Sequence, residues 1–153
     1  MTRVKHSARK TTDYILVACS DTPPIDDIGF KELNHAHLKL GWFSCGFHKI
    51  VRRNGEVEDG RDEEIGGGFV ESELSAVTNA NSISICMIGG LDEDGDTDAN
   101  FTFQQYMSLM MLIQDLRVKY PDAIVISHRE ISQHTDSPYF DVHELMNVSM
   151  ERE

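Results

Sequence analysis

Cysteine is scarce in this sequence, which has only Cys19, Cys45 and Cys86, an odd number spread far apart. This distribution argues against a disulfide framework, and no CxxC or Cys/His zinc-cluster pattern is present. Free cysteine is usually a small buried side chain, so we expect three reduced structural thiols.

Long hydrophobic runs are also absent, and none reaches the roughly 18 residues that a membrane-spanning helix needs. The basic N-terminus, MTRVKHSARKTTD, is not followed by the apolar segment of an export signal, so we expect the protein to stay in the cytoplasm where it is made. No Pro-, Gly- or Ser-rich spacer divides the chain. One compact domain is therefore predicted.

Positive charge is in short supply, because 14 Lys and Arg oppose 26 Asp and Glu and leave a net charge of −12. Such a surface repels nucleic-acid phosphates and anionic lipids, so we expect no membrane binding and no direct nucleic-acid binding. It favours a protein partner with a basic surface. Solubility is the alternative explanation, because acidic side chains also keep proteins in solution.

Apolar runs and periodic segments alternate along the chain. The apolar runs predict buried strands at residues 14–19, 82–90 and 123–127. The periodic segments predict helices at residues 29–40, 102–120 and 139–146. Asn54-Gly55 predicts a type I′ hairpin that pairs residues 47–53 with 56–60. Strands alternating with helices indicate an α/β class, with a single domain and a central mixed β-sheet flanked by helices. We place this domain at residues 14–150, after an N-terminal arm of residues 1–13.

Three other segments have their own interpretation. Residues 66–80, with three consecutive glycines, are predicted to be a loop. The acidic segment 92–98 is interpreted as a solvated turn, because it lacks the glutamate that closes a calcium loop. The apolar residues of the helix that begins at 102 are expected to face the core, namely Met107, Met110, Met111, Ile113 and Leu116.

Several motifs along the chain together resemble one known family. They are ILVACSDT, GW-x4-F-H, R-x-G-x-V-x-x-GR, N-x-x-SI-x-IC and H-R-E. In combination they resemble the zinc-dependent N-acetylmuramoyl-L-alanine amidases, above all the lysozymes of short-tailed coliphages and more distantly the peptidoglycan recognition proteins. The resemblance implies that the fold is amidase-like and that the protein is encoded by a phage.

Family members cut the amide between the lactyl group and the first alanine of peptidoglycan. Their zinc is held by two His and one Cys, and the open fourth position activates water. Carried over to this sequence, the three ligand positions hold Ala18, His128 and Ser137. Only His128 is a metal-ligating residue type, so we expect no zinc and no other cofactor.

The remaining positions of this vestigial catalytic groove differ as well. Phe47 replaces the active-site tyrosine, and Thr135 stands where the coliphage pattern has lysine. The resemblance suggests a further set of residues that line the groove, namely His48, Gly68, Phe69, Asn81 and Arg129. For His48 we favour packing in the core, and for His37 an interior hydrogen-bonded position.

A rebuilt metal site is the alternative, with His128, His134 and Asp136 as its ligands. Cys19 is not expected to join it, because adjacent strand residues point to opposite faces and its sulfur should face away from the groove.

Two functions remain open. The first is a catalytically inactive amidase-like protein that binds a protein partner in the cytoplasm of the infected bacterial host. Coliphage lysozymes of this family also bind a phage RNA polymerase, which makes such a polymerase, or a host defence factor, the expected partner; the vacated groove also suits a small molecule. The second is an active N-acetylmuramoyl-L-alanine amidase with an atypical metal site.

Overall fold

A computed structural model of the chain describes residues 8–70 and 76–151. Its five-stranded sheet has the order β3-β2-β4-β1-β5, with strands β1 (Tyr14–Cys19), β2 (Lys49–Val51), β3 (Val57–Asp59), β4 (Ser82–Met87) and β5 (Ile124–Ser127). All neighbouring pairs are parallel except β2 and β3, which are antiparallel. The helices are α1 (Phe30–Lys39), α2 (Phe103–Lys119) and α3 (Val142–Glu151). The predicted mixed α/β fold is confirmed.

The alternation of side chains along β1 divides the core into layers. Val17 lies in the same buried cluster as Leu109 and Ile113 of α2. Ala18, the next residue, lies in a second cluster with Leu33 of α1 and Phe47. Because successive strand residues point to opposite faces, β1 is covered on both sides, as its continuous apolar sequence predicts.

The N-terminus of α2 is fixed to the sheet by polar side chains. The Thr102 hydroxyl accepts a hydrogen bond from Gln105 N (3.1 Å), and Gln105 Oε1 accepts one from Thr102 N (3.0 Å). The fully buried Gln105 amide also donates to Val51 O (3.1 Å) and Ile88 O (2.8 Å). This capping box therefore satisfies the helix end and the ends of two strands together.

The inward face of α2 differs from the prediction at two methionines. Met107 is 39% exposed and Met111 61% exposed, whereas Leu109 and Ile113 are fully buried. Met110 is half-buried and packs against the core. Each helical residue advances by about 100°, so Met111 falls about 160° from Leu109 and Ile113, and Met107 falls about 160° from Leu109 and about 120° from Ile113. The expected inward position is wrong for Met107 and Met111.

Two turns also differ from their predicted form. The hairpin turn is closed by Gly55 N donating to Arg52 O (2.8 Å), and Gly55 has φ of +89° while Asn54 does not have a positive φ. A type I′ turn needs positive φ at both central residues, so that assignment is wrong although the hairpin itself is confirmed. The last helix begins at Val142 rather than at Tyr139, whose φ of 71° lies outside the helical region.

The loops and cysteines follow the sequence-based expectations. Residues 66–70 and 76–80 contain no helix or strand, and residues 71–75 of the predicted loop lie outside the described part. Cys19, Cys45 and Cys86 are buried and free. Of the predicted arm, residues 8–13 are described, and Arg9 N donates to Glu64 O (2.7 Å). Within the described ranges, no helix is long and apolar enough to cross a membrane.

Candidate functional site

A cleft of about 270 Å³ lies where the carboxyl ends of β1 and β5 meet. The parallel strands bring their C-terminal residues to one edge of the sheet, which is where open α/β sheets bind ligands. Its apolar and aromatic lining residues are Leu33, His37, Phe47 and Phe69. The other lining residues are Cys19, Ser20, Asp21, His128, Ser132, His134 and Thr135.

Ala18, which the family resemblance places at the first ligand position, is a packing residue. It is 1% exposed and shares a buried cluster with Leu33 and Phe47, both of which border the cleft. Its methyl group offers no donor atom, so this part of the site contributes only to the apolar core.

Ser137, which the family resemblance places at the third ligand position, is hydrogen-bonded to the end of β1. Its hydroxyl accepts from Cys19 N (3.0 Å) and donates to Cys19 Sγ (3.3 Å). The side chain is 1% exposed, and its backbone carbonyl accepts from Arg129 N (2.8 Å). Ser137 therefore fixes the 128–138 segment to β1 and does not border the cleft.

Cys19 is among the residues that border the cleft, and its side chain lies in the buried cluster of Val17, not in that of Ala18, as strand alternation predicts. Its thiol contacts Asp21 Oδ1 (3.4 Å), in the turn that follows β1. Burial raises the pKa of Cys19 to about 12, outweighing the hydrogen bond from Ser137. The thiol stays protonated at neutral pH, and only the thiolate is a strong zinc ligand or nucleophile.

Four rings form an aromatic cluster beside the cleft, namely His37, Trp42, Phe47 and Phe69. Phe69 stacks on Phe47 with centroids 3.8 Å apart and an interplanar angle of 13°. The His37 ring lies 4.7 Å from Trp42 and 5.4 Å from Phe69. Gly68 makes this packing possible, because a Cβ there would come within 2.7 Å of the Trp42 ring.

His37 connects this cluster to the backbone. Its Nδ1 accepts a hydrogen bond from Gly46 N (2.9 Å), and the residue is buried as expected. Burial lowers the pKa of His37, with a smaller contribution from nearby Arg61. The ring is therefore a neutral imidazole at neutral pH.

His128 begins a short 3₁₀ helix, His128–Glu130, that directly follows β5. Glu130 holds this turn by accepting from Ser127 N (2.6 Å) and by pairing with His143 of α3 (3.0 Å). Of the proposed alternative ligands, His128 and His134 border the cleft whereas Asp136 does not. The described part of the chain contains no group of three or more His, Cys, Asp or Glu that could hold a metal.

His48 packs in the core, as favoured, whereas Asn81 and Arg129 of the suggested lining residues do not border the cleft. His48 is 1% exposed, and its Nδ1 accepts from Ser84 N (2.9 Å) while its Nε2 faces Ile65 O (2.7 Å). Burial lowers the pKa of His48 to about 4. Asn81 precedes β4, at the end of the strand opposite the cleft, and Arg129 is exposed outside the cleft lining. Phe69 borders the cleft, and Gly68 lies beside it against Trp42.

A polar pair at the cleft, Asp21 and Tyr139, is not among the predicted site residues. The Tyr139 hydroxyl donates to Asp21 Oδ1 at 2.6 Å. Asp21 (φ 54°) and Tyr139 (φ 71°) are the two non-glycine residues with positive φ in the described ranges. The position of Asp21 directly after a buried parallel strand was a usable signal, because such positions lie at the binding edge of the sheet.

Comparison with known proteins agrees with this architecture. The sequence profile of the N-acetylmuramoyl-L-alanine amidase family matches residues 8–140. The chain is 39% identical to the endolysin of Escherichia phage T7 and 35% identical to that of Klebsiella phage KP32. Both alignments cover 93% of this chain and 90% of the relative.

Solved structures share the fold at lower identity. The amidase LysC from Clostridium intestinale URNW superposes with a TM-score of 0.74 at 23% identity, covering 96% of this chain and 91% of that one. Drosophila peptidoglycan recognition protein SD superposes with a TM-score of 0.69 at 17% identity, covering 99% and 86%. By its profile match and its phage relatives, the chain belongs to the N-acetylmuramoyl-L-alanine amidase family.

Proposed function

We propose that this member of the amidase family has lost zinc-dependent hydrolysis and acts by binding a protein partner. The observation that carries the proposal is the chemistry at the ligand positions, where Ala18 and Ser137 leave His128 as the one metal-ligating residue type. Losing two ligands is a larger change than removing an outer-shell partner, which alone costs about 10- to 100-fold in metal affinity.

The donors around His128 do not fit a zinc ion. Ala18 has no donor, and the neutral Ser137 hydroxyl lacks the charge and softness of a thiolate. That hydroxyl is also engaged with Cys19, whose own thiol is kept protonated by burial. The residues at these positions therefore do not support zinc-dependent hydrolysis by this chain.

The second observation that supports the loss of hydrolysis is the aromatic packing of Phe47 beside the cleft. Phe47 has no hydroxyl to offer a substrate, and its ring is 2% exposed beneath the stacked Phe69. An aromatic stack of this kind stabilises packing but supplies no general acid, base or oxyanion donor.

The charge of −12 supports a partner with a basic surface, because complementary charge accelerates encounter and excludes acidic partners. A phage RNA polymerase or a host defence factor, met in the cytoplasm of the infected bacterium, is the proposed partner class. Binding of this kind needs the folded surface and not the metal.

The alternative function, an active amidase with an atypical metal site, is favoured by one observation: His128 and His134 both border the cleft. A zinc ion bound by His128 and His134 would need a third protein ligand from another residue. Release of peptide from purified peptidoglycan separates the two functions, with the phage T7 endolysin as the active control. We expect no release by this chain at any added zinc concentration, and release at a rate near that of the control would contradict the proposal.

The partner is tested by measuring the affinity for the RNA polymerase of the same phage at increasing salt. We expect binding that weakens between about 0.05 and 0.3 M salt, because screening shortens the reach of opposite charges. A variant with Glu93 and Asp94 replaced by Gln and Asn reports how much of the effect is net charge, since both side chains are exposed. Polymerase binding that does not change with salt would contradict a charge-guided interface.

A further inference from the structure

We propose that the cleft binds a cationic group, an ammonium or guanidinium on an apolar stem, with the Asp21 carboxylate as its counter-ion. This inference rests on the proposed function, because the natural source of such a group is a Lys or Arg side chain of a basic protein partner. A free amine is the other source of the same chemistry.

The charge balance of the cleft points to a cation. Asp21 carries the one carboxylate among the described residues that line it, and no Lys or Arg is among them. The other ionisable residues of the lining are Cys19 and the imidazoles of His37, His128 and His134, and burial lowers the pKa of His37, which favours its neutral form. The cleft therefore has one carboxylate and no Lys or Arg side chain to pair with it, which disfavours anionic ligands and favours a cation.

Asp21 is held in place by Tyr139, which like Asp21 has a positive φ. The 2.6 Å hydrogen bond from the Tyr139 hydroxyl fixes Oδ1, while both residues have positive φ, a conformation that costs a non-glycine residue free energy. Strain of this type persists where the surroundings impose it, and it concentrates at ligand clamps. Tyr139 is thus a positioning residue for the Asp21 carboxylate.

The apolar part of the cleft lining suits an apolar stem. The half-buried Phe69 ring supplies the accessible aromatic surface, with Phe47 buried beneath it, and aromatic rings also attract ammonium and guanidinium groups. The volume of about 270 Å³ falls below that of ordinary pockets for drug-sized ligands. The cleft therefore fits one side chain or a small amine.

The test uses four small probes with similar stems: n-butylguanidinium, n-butylammonium, neutral 1-pentanol and anionic pentanoate. Binding is followed by ¹H–¹⁵N chemical shifts and by fluorescence of Trp42, the single tryptophan, whose ring lies 5.3 Å from Phe69. We expect dissociation constants on the order of 1 mM for the two cations, and binding at least about fivefold weaker for the other probes.

Asp21→Asn removes the charge while keeping a residue that tolerates positive φ. It should weaken cation binding about tenfold, equivalent to about 1.4 kcal/mol. The matched control is Asp26→Asn, which makes the same change in net charge at an exposed residue outside the cleft and should leave affinity unchanged. Tyr139→Phe should weaken cation binding about threefold without changing the affinity for 1-pentanol, which a general structural defect would also alter.

Binding of the blocked tripeptides Gly-Arg-Gly and Gly-Gln-Gly distinguishes a partner's side chain from a free amine as the source of the cation. Arg-specific binding at least as tight as that of n-butylguanidinium assigns the site to a partner's side chain, whereas binding of the free cations with exclusion of both peptides assigns it to a small amine. Equal weakening by Asp21→Asn and Asp26→Asn, or no preference for cations over 1-pentanol, would overturn the inference. Cation binding without polymerase binding would leave the cleft assignment intact and remove the polymerase as partner.

Discussion

Placing His and Cys at the two ligand positions that the family resemblance assigns to Ala18 and Ser137 should make the stability of this fold depend on zinc. The perturbation is Ala18→His combined with Ser137→Cys, which places a second imidazole and a thiolate beside His128 according to the family pattern. Ala18 is 1% exposed within a packed cluster, so inserting an imidazole ring there should cost about 1–3 kcal/mol in free energy of unfolding. Weakening the hydrogen bond between residue 137 and Cys19 N should cost about 1 kcal/mol more.

These costs predict a metal-free double variant that is about 2–4 kcal/mol less stable than the wild type. A ligand present at about 1,000 times its Kd adds about 4.1 kcal/mol, and each kcal/mol shifts the Tm of a chain of this size by about 2–4 °C. Zinc should therefore raise the Tm of the double variant by about 8–16 °C while leaving the wild-type Tm unchanged.

The assay is thermal unfolding followed by circular dichroism, with and without zinc, on freshly purified apo proteins. Ala18→His combined with Ser137→Ala is the control, because it has the same packing defect but no thiolate. Zinc should stabilise this control much less than the double variant. A wild-type Tm that rises with zinc as much as that of the double variant would refute the reasoning.

Other predictions concern the core and its pH dependence. Gln105→Ala should lower the free energy of unfolding by about 2–3 kcal/mol in urea denaturation, because two buried carbonyls lose their donor. The wild type should lose up to about 3 kcal/mol as pH falls from 6.5 to 4: the folded state holds the pKa of His48 near 4, so the unfolded state takes up the proton first. His48→Gln should flatten this pH dependence, and an unchanged profile would exclude His48 as its source. Met111→Ala should change stability by less than about 0.5 kcal/mol and Leu109→Ala by about 2–5 kcal/mol, and similar losses would contradict their different burial.

Local patterns predicted the elements of this fold well where one physical cause dominates. The apolar run of β1 is covered on both faces, and its predicted bounds, residues 14–19, match the structure. Where two causes compete, the prediction failed. Met107 and Met111 are apolar enough for the core, but their angular position on α2 leaves them in water.

Site residues were predictable from the sequence only where a neighbouring strand or loop determines their position. His128 at the end of β5 and Phe69 after the glycines both border the cleft. Asn81 does not, because it precedes its strand and therefore lies at the opposite edge of the sheet. The Asp21–Tyr139 pair joins residues 118 positions apart, and no local pattern announces a contact over that separation.

The zinc content of the purified wild-type chain, measured by mass spectrometry after equilibration with zinc and removal of free metal, tests the central claim most directly. A single imidazole at the ligand positions predicts less than about 0.1 zinc ion per chain. About one zinc ion per chain, lost when His128 is replaced by Ala, would contradict the account.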